Sequence, residues 1–176
     1  MEAEDIDYVE DSTSGAVLSK PFGTIVVPAS WNESPELSWD GMFFYLKDGT
    51  SLDAPTSNIS VNMGVNGYSE GEFLSFRDEV YDQLMAQVSA SPGSVLHGMG
   101  TQTEKGYILM IFTIENENVG ITTRQYYIVG DFRYILVHET DFHDESIPYV
   151  TEAARAIVDS FEWAITPIEF SSGPNL

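Results

Sequence analysis

At 176 residues the chain fits one domain with a core of ordinary size, and its 43% apolar and 20% charged residues match a globular composition. Seven Lys and Arg stand against 28 Asp and Glu, a net charge of −21, so nucleic acid and anionic membrane surfaces are poor partners: phosphate neutralisation needs clustered cations. The absence of cysteine excludes disulfides, thiolate zinc sites and cysteine nucleophiles.

Residues 1–16 read as an acidic, unstructured tether, with Glu2, Glu4, Asp5, Asp7, Glu10 and Asp11 and no cation among the first eleven. No apolar stretch reaches the roughly 18 residues that span a bilayer, and the basic-then-apolar order of a signal peptide is missing. Such a Ser/Asp/Glu-rich start suits the stretch just after a removed leader, between a membrane anchor and an exported domain. The alternative is a cytoplasmic protein with an acidic start.

The domain is expected over 17–163, beginning with a strand that runs through Phe22–Val27 and stops at Pro28. Pro28-Ala29-Ser30-Trp31 makes a turn, because proline ends ladder pairing and Trp31 can fold back on the strand. Residues 41–46 form the next strand, ended by the turn Lys47-Asp48-Gly49-Thr50. Asn58–Met63 alternates polar and apolar side chains, the pattern of a strand wetted on one side.

Ser69 and Glu72 then have the spacing of a capping box. Behind it, Phe73, Phe76, Val80, Leu84 and Val88 build one apolar helical stripe, with Asp78, Glu79 and Asp82 outside it. After Pro92 comes a strand over 96–103, with Gly93, Gly98 and Gly100 as turn and bulge glycines around an edge. Three long strands follow near 107–115, 119–129 and 132–141, the last two joined by a tight turn at Gly130-Asp131. Tyr107 to Phe112 is apolar at both parities, so this strand should be central and covered on both faces. A last helix from about Ser146 to Phe161 tolerates Pro148 in its first turn and buries Val150, Ala154, Ile157, Val158 and Phe161. Residues 164–176 are a tail. The elements add up to a single-domain α/β (α+β) sandwich, with a central antiparallel sheet of about six to seven strands and helices packed on it.

No reaction signature emerges. The densest set of potential ligands is His138, Asp141, His143, Asp144 and Glu145, where imidazole and carboxylate suit a divalent ion. Its spacing matches no zinc or calcium loop, and acidic residues ahead of a helix also serve its N-terminus. His138, Asp141, His143 and Asp144 are kept as metal candidates. Glu115-Asn116-Glu117-Asn118 offers oxygen ligands but also makes an ordinary hairpin turn. No GxSxG elbow accompanies the histidines, and no lysine follows the glycines of 93–100 as a phosphate loop requires. No catalytic residue and no cofactor is assigned. The aromatics Trp31, Trp39, Phe43, Phe44 and Tyr45 cluster in the first half. Trp31, Trp39, Phe43 and Tyr45 are the candidates for a groove that meets a protein, with the core as their alternative fate.

Pro28 and Trp31, the order strand, helix, long antiparallel strands and closing helix, Gln125-Tyr126-Tyr127 on the penultimate strand and Ser160-Phe161 at the end of the last helix resemble the Mog1/PsbP-like fold family. The nearest look is to its bacterial branch of small exported lipoproteins and type VI secretion adaptor chaperones, over residues 17–163. That resemblance implies non-enzymatic work: binding another protein as monomer or homodimer, outside the cytoplasm if the lipoprotein branch applies, or shielding a client as an adaptor or immunity protein. The acidity suits the lipoprotein branch. The lipoprotein cysteine is absent from the chain, so an anchor is inferred only.

Overall fold

The computed structural model describes residues 15–164; the greater part of the expected tether (1–16) and all but the first residue of the expected tail (164–176) lie outside the described residues. Seven strands form one antiparallel sheet in the order β3-β4-β5-β9-β8-β7-β6. They are β3 (Trp31–Glu33), β4 (Met42–Lys47), β5 (Asn58–Val65), β6 (Ser94–Gln102), β7 (Ile108–Asn116), β8 (Ile121–Val129) and β9 (Arg133–Asp141). A second sheet, absent from the sequence-based expectation, pairs β1 (Ala16–Lys20) with β2 (Gly23–Val27) and β2 with the two-residue β10 (Glu162–Trp163). The single first strand expected from Val17 onward is therefore a hairpin, turning at Pro21-Phe22, where proline removes a ladder donor. With helix α1 (Phe73–Ser89) on one face of the large sheet and α2 (Val150–Ser160) on the other, the architecture is an α+β sandwich.

Alternation sorts the sheet's side chains into two cores. Leu109, Ile111, Tyr126, Ile128, Ile135 and Val137 face α2, which buries Val150, Ala153, Ala154, Ile157 and Val158 and is backed by Phe22, Ile25 and Val27 of the small sheet. Met110, Phe112, Tyr127 and Val129 face α1, which buries Phe76, Val80 and Leu84. The apolar run 107–112 is thus sheltered on both sides, as its sequence implies. It is not the central strand: β7 lies one strand in from the β6 margin, and β9 holds the middle.

Both helix starts obey local rules. The Ser69 amide donates to Glu72 Oε2 at 2.9 Å, and the capping box opens on a single 3₁₀ turn (Glu70–Glu72) before α1 begins. The second helix starts at Val150 and not near Ser146, because the residue before a proline is kept out of the helical region and Tyr149 sits at φ 64°. The β8–β9 connection is three residues, Gly130-Asp131-Phe132, and the left-handed position falls on Phe132 at φ 57°. Its backbone is held there by the Phe132 amide donating to Tyr68 O and the Asn66 amide donating to Phe132 O.

Candidate functional site

The four aromatic candidates separate once the strands are paired. Trp31 follows the turn at Pro28, its amide donating to Pro28 O at 2.9 Å, and its ring is buried among the α2-side residues. Tyr45 is completely buried in the same core. Its hydroxyl has no hydrogen-bond partner among the described residues, and burial together with the Glu33 charge raises its pKa. Phe43 is half-buried, edge-on to Phe22 at 5.8 Å, and capped by Lys20 Nζ 3.9 Å from its centroid. Only Trp39 stands out, 68% exposed in the tight bridge with Met42. Two of the four are therefore core residues, and Trp39 lies apart from them in solvent.

The metal candidates are likewise parted. By alternation along β9, His138 turns to the α1 side between Ser60 and Gln125, while Asp141 shares the α2-side parity of Glu139. His143 Nε2 is hydrogen-bonded to Thr122 Oγ1 at 2.9 Å, with Nδ1 3.6 Å from Asp141. Asp144 accepts from the Ser146 amide and hydroxyl, which holds its carboxyl below the usual range. Among the described residues no three His, Cys, Asp or Glu side chains gather as a metal site would require. Burial alone depresses the pKa of His138.

A polar cluster not singled out from the sequence lies under α2. Glu139 is fully buried and accepts from Thr151 Oγ1 at 2.6 Å, Arg124 at 3.0 Å and the Tyr126 hydroxyl at 3.2 Å. Arg124 also donates to Thr151 Oγ1 at 2.9 Å. Burial pushes the Glu139 carboxyl above its ordinary value, and its three donors hold that rise back. Its place in the buried register of Ile135 and Val137, opposite Arg124, is the signal in the sequence that points to it. Three donors satisfy the carboxylate within the protein, which makes the cluster a tie between sheet and helix.

The opening in the fold is at the other margin. There β6 is paired on one side only, to β7 along its whole length. Its ends are fastened: Asn116 donates to the Ser91 and Ser94 hydroxyls at 3.2 and 3.0 Å, and Asn118 to Pro92 O at 3.0 Å. At the far end the Glu104 amide donates to Asp159, and Lys105 meets Glu162 at 3.1 Å. The stretch Ser94-Val-Leu-His-Gly-Met-Gly-Thr-Gln102 carries no Asp, Glu, Lys, Arg or Pro, the residues that ordinarily blunt a sheet edge.

Beside this edge, between it and α1, lies a groove of about 910 Å³ lined by Phe73, Leu74, Arg77, Tyr81, Met110 and Phe112. Gly98 and Gly100 open its floor. They pair with Phe112 and Met110, so a side chain at either would point into the groove, and a Cβ at Gly100 would meet nothing within 4 Å. Met99, which also borders the groove, and Val95 are 59% and 51% exposed. The sequence does mark the glycines as belonging to an edge strand, but the groove needs α1 laid across β6 and β7 and cannot be read from either segment alone.

No family model matches the chain, and no curated protein matches it. Solved structures do. A crystal structure from Bacteroides thetaiotaomicron VPI-5482 is 15% identical over 86% of this chain with a TM-score of 0.48. The solution structure of cyanobacterial PsbP (CyanoP) from Synechocystis sp. PCC 6803 is 12% identical, with 86% of this chain and 93% of that one covered and a TM-score of 0.49. The chain spans about half, 49%, of the Bacteroides protein. Both likenesses are remote, and the α+β architecture stands on this chain's own strand pairing. Among the described residues no helix is long and apolar enough to cross a membrane.

Proposed function

We propose that this chain is a non-catalytic, protein-binding domain of the Mog1/PsbP-like kind, and that it meets its partner at the β6 margin. One observation carries the reading: an unblunted nine-residue edge strand lies beside an apolar groove of about 910 Å³. Exposed apolar surface of that kind marks interaction sites on folded domains, and open sheet edges are a recurring way of adding a partner strand. An exported setting belongs to the same proposal, supported by the acidic, cation-free composition of the first eleven residues and tested by fractionating cells that express the native gene.

The test is capture of a protein that Tyr81→Glu or Met99→Glu releases. Capture unaffected by either change, together with turnover of a small substrate, overturns the reading. An adaptor that shields a client's apolar helix is the second reading, favoured by the apolar lining of the same groove. A helix filling the groove leaves the β6 backbone unpaired, which is why a strand is the better occupant.

A further inference from the structure

Resting on that reading, we infer that the occupant of the β6 margin is an extended, cationic segment of another protein, which adds to the large sheet as an eighth strand. The ladder specifies which backbone groups are on offer. The Thr103 amide donates to Tyr107 O at 2.9 Å, so this is a hydrogen-bonded pair, and alternation along an antiparallel ladder makes 101, 99, 97 and 95 the inward-bonding positions. Leu96, Gly98, Gly100 and Gln102 therefore turn their N–H and C=O groups away from β7. Two of these four are glycines whose missing side chains open the groove floor. Alternate side chains of an added strand can enter there and pack beside Phe112 and Met110. The opposite margin of the sheet offers no equal, since β3 is three residues long.

Charge selects the partner. The chain carries −21, and five of its seven cations, Lys20, Arg77, Lys105, Arg124 and Arg155, are already in ion pairs with its own carboxylates. Glu115 lies opposite Val95 on the neighbouring strand, and Arg77, the one charged side chain in the groove lining, is already paired with Asp78. A second copy of this chain would set that net negative charge against its like, whereas lysines or arginines flanking an apolar strand would meet it with opposite sign.

The probes are two labelled ten-residue peptides, one alternating lysine with valine and one alternating glutamate with valine, mixed with the full chain. Binding is followed by fluorescence anisotropy and located by amide hydrogen exchange. The expected result is slowed exchange at Leu96, Gly98, Gly100 and Gln102 with the lysine peptide and none with the glutamate peptide. Gly100→Pro removes one outward donor while sparing the β6–β7 ladder. It is expected to weaken the lysine peptide about tenfold with an unchanged melting temperature, and Gly98→Pro supplies a second such variant. Four outcomes overturn the proposal: no binding; binding that both prolines leave intact, which is diffuse attraction to an acidic surface; concentration-dependent protection of β6 without peptide, which assigns the edge to a second copy; and concentration-independent protection without peptide, which assigns it to the chain's own terminal residues. Capture of a partner at another face would sink the strand-addition proposal and leave the binding-domain reading standing.

Discussion

Leu109 and Phe112 stand on opposite faces of β7, one fully buried against the α2 layer and the other 3% exposed against the α1 layer. Truncating Leu109 to alanine removes three buried carbons, about 2.4 kcal/mol of transfer free energy. The residual cavity raises the cost to about 3–4 kcal/mol. Phe112→Ala also loses the edge-on contact with Tyr127 at 6.0 Å, and about 3–5 kcal/mol is expected. In a chain of this length each kcal/mol lowers the melting temperature by about 2–4 °C. Urea unfolding should show a lower midpoint for both variants at an unchanged slope. Val95→Ala and Met99→Ala at the exposed margin should stay within about 0.5 kcal/mol of the parent. If either Leu109→Ala or Phe112→Ala costs less than about 1 kcal/mol, that face of the strand is wetted and the two-layer packing is wrong.

Arg124→Ala leaves the Glu139 carboxylate buried with one charge partner fewer, and a loss of about 3 kcal/mol is expected at neutral pH. Because the folded-state pKa of Glu139 is raised, its stabilising contribution is present at acid pH and is lost as pH rises through that value. The Arg124→Ala deficit should accordingly shrink on acidification, as thermal melts across pH would record. His138 behaves oppositely: burial lowers its folded-state pKa below the ordinary 6.5, so its contribution is present above 6.5 and disappears as pH falls through the folded value. His138→Gln should flatten the stability profile between the folded value and 6.5, and an unchanged profile would assign the acid loss to other groups. Phe132, 52% exposed and left-handed, is expected to yield about 1 kcal/mol of added stability on replacement by asparagine, which tolerates that conformation. Denaturant midpoints measure it directly.

Local pattern was enough for the helices, for most strands and for the sheltering of 107–112, because each of these depends on the period of apolar side chains along one segment. The capping box at Ser69 and Glu72 was legible for the same reason: its partners are three residues apart. The turn between β8 and β9 contains the expected Gly130-Asp131 but is one residue longer, since backbone contacts from Asn66 and Tyr68 hold Phe132 in the left-handed region. Those contacts reach across more than sixty residues and leave no trace at the turn itself.

Composition and periodicity together determined an acidic α+β domain with two amphipathic helices, the first opened by a capping box, and a run of strand covered on both sides. Whether an aromatic lies inside or outside was settled by pairing. Trp31 and Tyr45 went into the core and Trp39 into solvent because register, and not residue type, decides which face a side chain joins. The same register set His138 and Asp141 on opposite faces, brought Glu139 to Arg124, and left β6 at the margin with its glycines beneath α1. These placements depend on residues tens of positions apart meeting across a ladder, and only the assembled sheet specifies which of them meet.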